Sequence, residues 1–236
     1  MNKSILFLTC THGDEQFSVP VIRQLERVYP GRFSWLVVNE QAVPLNRRFV
    51  EADMNRIAPG YPADQRYEYR RSDEVQRLAS KFAVTLDLHG TPAETGLFAI
   101  ITNPTPANLL LAATLPLERI VVWAPSGTPT QGPVTQFVPC GLEIECGPRD
   151  SVSVSGALYR VLERVVTAGF RFDSQAVRRQ QYFRVTGSLP LDGLTKAEVS
   201  SLREFTATTI RDREFYPLLI NRYPGTACYQ MERINI

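Results

Sequence analysis

The sequence predicts an α/β protein built on a mostly parallel or mixed sheet with helices on both faces, followed by a small β-rich C-terminal subdomain. Three observations lead there. Through the first two-thirds of the 236 residues, short unbroken apolar runs alternate with segments whose apolar residues recur every three or four positions. Unbroken apolar strands are those buried on both faces, and the amphipathic segments between them supply the cover. Beyond Phe170 the texture changes to short alternating runs broken by Pro and Gly, with little helical period. The expected division is therefore residues 1–170 as the α/β domain and residues 171–236 as the β-rich subdomain.

The elements follow in order. Ser4–Thr9 (SILFLT) is a strand, and Phe17–Tyr29 is a helix with apolar residues at 17, 21, 22, 25, 28 and 29. Ser34–Asn39 (SWLVVN) is again strand-like. The polar, arginine-rich stretch from Glu40 to Arg71 has no sustained period and reads as a long loop, uncommon in a compact domain unless it serves a site. A helix over Asp73–Phe82 and strands over Ala83–Leu88 and Leu97–Thr102 come next. A helix over Ala107–Leu115 and strands at Arg119–Trp123 and Gly141–Glu145 follow. Val152–Ala168 carries the clearest helical stripe, at 154, 157, 158, 161, 162, 165 and 166. The C-terminal runs QYFRVTG, FYPLLI and CYQMERINI are strand candidates.

Composition narrows the function. An apolar fraction of 44% and a charged fraction of 21% are those of an ordinary water-soluble globular chain. A net charge of +2, with arginines scattered among acids, argues against a nucleic-acid partner. The apolar stretch Ile5–Cys10 runs straight into charge with no small-residue cleavage site, so it reads as a buried first strand and not as a signal peptide. No apolar run approaches the roughly 20 residues of a membrane-spanning helix. The expectation is a cytoplasmic protein without a membrane partner, with self-association into a homo-oligomer left open. Cys10, Cys140, Cys146 and Cys228 are widely spaced and read as free, buried thiols.

Histidine is scarce: the two, His12 in CTHGDE and His89 in LDLHG, each sit where a predicted strand gives way to a loop. Open α/β sheets bind their ligands at the carboxyl ends of strands. Either histidine alone is more often a hydrogen-bonded core residue. Two of them, each beside glycine and near Asp or Glu, suit a catalytic zinc site, which can take two histidines and a carboxylate and leave a fourth position for water. Glu15 follows His12 by three residues, so a tight turn could set both on one ion; alone it reads equally as a first-turn acid favoured by the helix dipole. Asp87 is a candidate to orient His89. Arg48, Asn55 and Arg56 offer charged forks and an amide for a substrate carboxylate or an oxyanion, against the plainer reading of loop arginines paired with Glu51 and Asp53. In GLEIECGP, period two puts Glu143 and Glu145 on one face of an apolar strand, where burial raises a carboxyl towards neutrality and suits it to act as a general base. Glu145, next to the turn, is the better placed.

Four ordered segments, H-G-x-E at His12–Glu15, R-x6-N-R at Arg48–Asn55–Arg56, D-L-H at Asp87–His89 and E-x-G-P at Glu145–Pro148, together with YPLLIN…ACY near the end, resemble the succinylglutamate desuccinylase and aspartoacylase family, relatives of the zinc carboxypeptidases. The resemblance implies a zinc carboxypeptidase-like fold and one Zn2+ per chain on His12, Glu15 and His89. It implies Arg48 polarising the scissile carbonyl, Asn55 and Arg56 binding the substrate α-carboxylate, Glu145 as the catalytic glutamate and Tyr229 as a substrate contact, with Tyr223 close by. The activity implied is hydrolysis of an N-acyl amino acid, a small molecule, to a carboxylic acid and a free amino acid. A carboxypeptidase-like enzyme acting on short peptides and a non-catalytic metal-site binding protein are the alternatives. The chain departs from aspartoacylases at Thr130–Val138 (TQGPVTQFV), which lacks the basic residue they use to grip an acidic side chain.

Overall fold

Strand β1 (Ile5–Thr9) shows how the sheet is covered: all five residues are buried, and they divide by alternation. Ile5 and Phe7 join one apolar cluster, Leu6 and Leu8 another on the opposite face. The computed structural model describes residues 5–125, 130–170 and 179–235. The first cluster is closed by α1 (Ser18–Val28), α4 (Pro106–Thr114) and α5 (Val152–Ala168), through residues such as Ile22, Leu111 and Leu158. The second is closed by α2 (Met54–Ile57) and α3 (Tyr67–Ala79) and by a 3-10 turn at Val134–Gln136. Helices on both faces are as the sequence predicts.

The other strands are β2 (Ser34–Val37), β3 (Val84–Gly90), β4 (Gly96–Ile101), β5 (Arg119–Val122) and β6 (Gly141–Gly147). β7 (Gln181–Pro190), β8 (Thr208–Ile210), β9 (Arg213–Leu218) and β10 (Thr226–Ile234) complete them. Ten strands form one sheet in the order β2-β1-β3-β6-β4-β5-β7-β10-β9-β8. Pairing is parallel from β2 to β6, antiparallel between β6 and β4, and parallel again from β4 through β5 to β7. The last four strands pair antiparallel. β7 thus carries the sheet from the first two-thirds of the chain into the β-rich end, which has its own cluster around Leu202, Ile210 and Phe215. The expected boundary after residue 170 borders residues 171–178, outside the described set.

Several expectations need correction. Helix α3 starts at Tyr67, not Asp73, and α2 lies inside the stretch read as a loop from Glu40 to Arg71. The reason is that the buried face of α3 begins with Glu68 and Ser72, two polar residues, before Val75 and Ala79. Glu68 is fully buried because its carboxylate accepts the backbone N–H groups of Val50, Glu51 and Ala52. β3 runs on through His89 and Gly90, so His89 projects from a strand. The C-terminal segment also contains a short helix, α6 (Lys196–Ser201), started by a Thr195–Glu198 capping box. Of the four free cysteines Cys10, Cys146 and Cys228 are buried as expected, and Cys140 is half-buried.

Candidate metal and substrate site

β1 ends at Thr9, and Cys10, at φ 54°, turns the chain so that His12 and Glu15 fall beside the end of β3. Gly13 is required there. A side chain at that position would meet the backbone and Cβ of Ala42 at 2.4 to 2.6 Å, and its N–H bonds the carbonyl of Arg48 at 3.1 Å. That approach brings the 40–57 segment, with Arg48, Asn55 and Arg56, against the histidines. β6 lies next to β3 in register, pairing His89 with Glu145 and Asp87 with Glu143. Residues from distant parts of the sequence converge in this way on the carboxyl ends of adjoining strands.

His12 Nδ1 lies 2.8 Å from Glu15 Oε1, and His89 Nδ1 lies 3.2 Å from Glu15 Oε2. All three residues are buried, and their candidate ligand atoms lie within 4.8 Å of one another. Two donors on one tetrahedral ion are about 3.4 Å apart, so two nitrogens and a carboxylate oxygen at these separations fit a single zinc-sized cation. Each imidazole turns its other nitrogen to an acid. His12 Nε2 is 3.2 Å from Asp53 Oδ1, and His89 Nε2 is 3.1 Å from Asp87 Oδ2. Thr11 Oγ1 donates to both oxygens of Asp87, at 2.8 and 2.9 Å. Carboxylates behind ligating histidines fix the tautomer and ring orientation.

The charges follow from this geometry. Burial raises the Glu15 carboxyl, but the charge of His12 and the hydrogen bonds from both histidines outweigh it and hold Glu15 well below the usual range. Burial likewise opposes the charge on His89, yet Asp87, Glu15 and Glu143 draw it well above the ordinary imidazole value. Glu145 is pushed up to about 8, first by burial and then by the negative charges of Glu15 and Glu143, with His89 and His12 pulling the other way. It makes no side-chain hydrogen bond or ion pair among the described residues, and it faces the cavity. Burial also raises the Glu143 carboxyl, which accepts from Asn55 Nδ2 at 3.0 Å and lies 3.9 Å from His89 Nε2.

A cavity of about 560 Å3 is lined by His12, Glu15, Arg48, Asn55, Arg56, His89, Glu143, Glu145 and Tyr229, while Asp87 stands behind His89 and outside the lining. Tyr223 lines it too, with its ring 5.7 Å from that of Tyr229, so the structure brings both tyrosines in. Arg48 is paired as the plainer reading had it: Nε and Nη2 contact Asp53 Oδ2 at 3.0 and 2.9 Å. Glu51 has a different use, accepting the backbone N–H of Tyr67 at the start of α3. Arg56 Nη1 donates to the Asn55 carbonyl at 2.7 Å.

Sequence reasoning saw Asp53 only as a partner for loop arginines and missed its other two contacts. It caps α2 by accepting the Asn55 N–H, holds Arg48 and meets His12, all at once. Burial would raise its carboxyl, but the His12 hydrogen bond and the charges of His12, Arg48 and Arg56 hold it well below the usual range. An Asp two residues before an Asn at a helix start was the available signal. Trp123 and Arg222 were missed as well, and nothing local marks them. The 130–138 stretch faces the cavity through Gln131, Gly132, Pro133 and Gln136, without a cation.

Residues 2–168 match the model of the succinylglutamate desuccinylase/aspartoacylase catalytic domain. The chain is 25% identical over 182 residues to a protein described as a probable aspartoacylase of Acaryochloris marina (strain MBIC 11017), covering 70% of this chain and 61% of that one. It is 27% identical over 183 residues to the N-acyl-aromatic-L-amino acid amidohydrolase (carboxylate-forming) of Mus musculus, covering 67% and 57%. The match thus spans less than two-thirds of either relative. Among solved structures, murine aminoacylase 3 superposes with a TM-score of 0.74 at 20% identity, over 100% of this chain and 96% of that one. The succinylglutamate desuccinylase from Chromobacterium violaceum gives 0.73 at 18%, over 100% and 86%. At those identities the likeness establishes the fold.

Proposed function

From its membership of the succinylglutamate desuccinylase/aspartoacylase family, we propose that this chain is a zinc-dependent amidohydrolase that splits an N-acyl amino acid into a carboxylic acid and a free amino acid. The observation that carries the reading is the pairing of a buried His12–Glu15–His89 cluster with a separate, cavity-facing Glu145. Metal storage needs the first and has no use for the second.

His12, Glu15 and His89 would hold the ion. When bound, zinc supplies a Lewis acid for the scissile carbonyl and lowers the pKa of water. Glu145 takes a proton from the attacking water as its oxygen bonds to the carbonyl carbon. The carbon–nitrogen bond then breaks, and Glu145 returns the proton to the leaving amine. Arg48, held by Asp53, faces the negative charge that develops on the carbonyl oxygen. Arg56 grips the substrate carboxylate. Asn55 donates one amide hydrogen to Glu143 and has a second to share in that task. Tyr229 lines the same cavity as a further substrate contact.

The test is metal content and turnover on one preparation. Purified protein should carry close to one zinc per chain and hydrolyse N-acyl amino acids faster than dipeptides. His12→Ala should lose both metal and activity. Full activity after complete metal removal would end the proposal, and faster dipeptide cleavage would move it to a peptidase.

A further inference from the structure

The side of the cavity away from the metal cluster is apolar, and the chemistry above makes little use of it. Trp123 follows β5, Val185 lies on β7 and Tyr229 on β10, three strands that adjoin in the sheet. Ile100 comes from β4, and Leu219 and Tyr223 come from the turn after β9; all six line the cavity. The rings pack edge to face, with centroids 4.4 Å apart for Trp123 and Tyr229 and 5.7 Å for Tyr223 and Tyr229. Behind them lies a buried cluster that includes Phe98, Val121, Phe183 and Met231. The wall is therefore the open edge of a packed core. Rings held in this way bury much area on a ligand and lose little freedom in doing so.

The cations stand beside this wall. Arg48 is already paired with Asp53, whereas Arg56 and Arg222 make no ion pair among the described residues. Arg56 lines the same cavity as the three rings, and the Arg222 guanidinium is 5.8 Å from the centre of the Tyr223 ring. In an amino acid the side chain branches from the carbon that carries the carboxylate. With that carboxylate on Arg56, the side chain enters the same cavity, whose apolar wall is made of these rings. An acidic side chain there would give up water for an apolar surface.

Resting on the amidohydrolase reading, we propose that Trp123, Tyr223 and Tyr229 form the side-chain subsite and that the preferred substrates are N-acyl derivatives of aromatic or large aliphatic amino acids, not of aspartate or glutamate. Among the described residues of the wall, Arg222 is the one able to reverse that preference.

Binding and turnover are measured separately. Zinc-loaded Glu145→Gln is titrated calorimetrically with N-acetyl-L-phenylalanine, N-acetyl-L-leucine and N-acetyl-L-aspartate. The phenylalanine derivative should bind at least about tenfold tighter than the aspartate derivative, within the range an apolar pocket discriminates. Adding Trp123→Ala should erase most of that ratio, and Trp123→Phe, which keeps a ring, should retain it. A tighter aspartate derivative, above all one whose affinity falls on Arg222→Ala, overturns the subsite. So does absence of binding by all three, or a ratio unmoved in folded Trp123→Ala. If the expected order of binding holds but the wild type hydrolyses none of them, the amidohydrolase reading fails and the subsite stands.

Discussion

The two halves of the cavity are built from opposite materials. On the β1–β3–β6 side, charged and polar groups interlock: Glu15 lies between two histidines, Asp53 and Asp87 stand behind them, Thr11 holds Asp87, and Arg48 pairs with Asp53 at the edge of the cavity. On the β5–β7–β10 side, aromatic rings lean on an apolar core. Charge in a desolvated place survives only if each group is answered by a partner, so the first half is highly specified and intolerant. Ring packing is graded, and a lost contact costs a fraction of the whole. Changes on the metal side should therefore act as switches and changes on the wall as dials.

The strongest way to break this contrast is to change carboxylates on the metal side. Glu145→Gln should lower kcat by about 10²- to 10⁴-fold, the usual contribution of general acid–base catalysis, with bound zinc unchanged. Glu15→Gln should lose metal together with activity. Glu143→Gln should keep both within a few-fold, because an amide can still pair with Asn55. Metal analysis and initial rates on the three variants decide it; near-normal turnover in Glu145→Gln would assign the base elsewhere.

The two arginines sharpen the contrast at its border. Arg56→Ala should raise KM by about 10- to 100-fold, in line with loss of a charged hydrogen bond to a carboxylate present throughout the reaction. Arg48→Ala should act mainly on kcat, because the charge it answers appears only as the carbonyl becomes tetrahedral. Neither should alter the preference among side chains. Identical kinetic signatures for the two variants would refute the division between them.

The smallest effect is on stability. In metal-free protein the Glu145 carboxyl sits near 8 against an ordinary 4.5, because burial and the neighbouring acids favour its neutral form. A raised folded pKa means the folded state holds the proton more tightly than the unfolded chain. That contribution is complete below about pH 4.5 and is lost as pH rises towards 8. The thermal midpoint of the metal-free wild type should therefore fall, relative to Glu145→Gln, as pH goes from 5 to 8. Parallel curves across that range would show that Glu145 is not desolvated.

Much of the metal side was legible because its signals are scarce and local. Two histidines, each next to glycine and an acid, leave few other ways to place a metal, and Glu145 stands out as a charge at the end of an apolar strand. What stayed hidden on that side was the use made of Asp53 and the start of α3. A capping aspartate and a glutamate buried by three backbone N–H groups look like ordinary loop polarity until their partners are known. On the wall, by contrast, only Tyr229 and Tyr223 were in view. Trp123, Val185 and Leu219 carry no pattern that separates a cavity lining from a core.

The sequence by itself determined the α/β class, the alternation of covered strands and helices, and the residue types assembled around His12 and His89. Periodicity and charge placement are properties of neighbouring residues, so they survive without the fold. Only the tertiary structure decided that β6 lies between β3 and β4, setting Glu145 opposite His89, and that β7 carries the aromatic end of the chain onto β5. Strand order depends on which surfaces bury best across long stretches of chain. That is a comparison among whole packings, and no local pattern records its outcome.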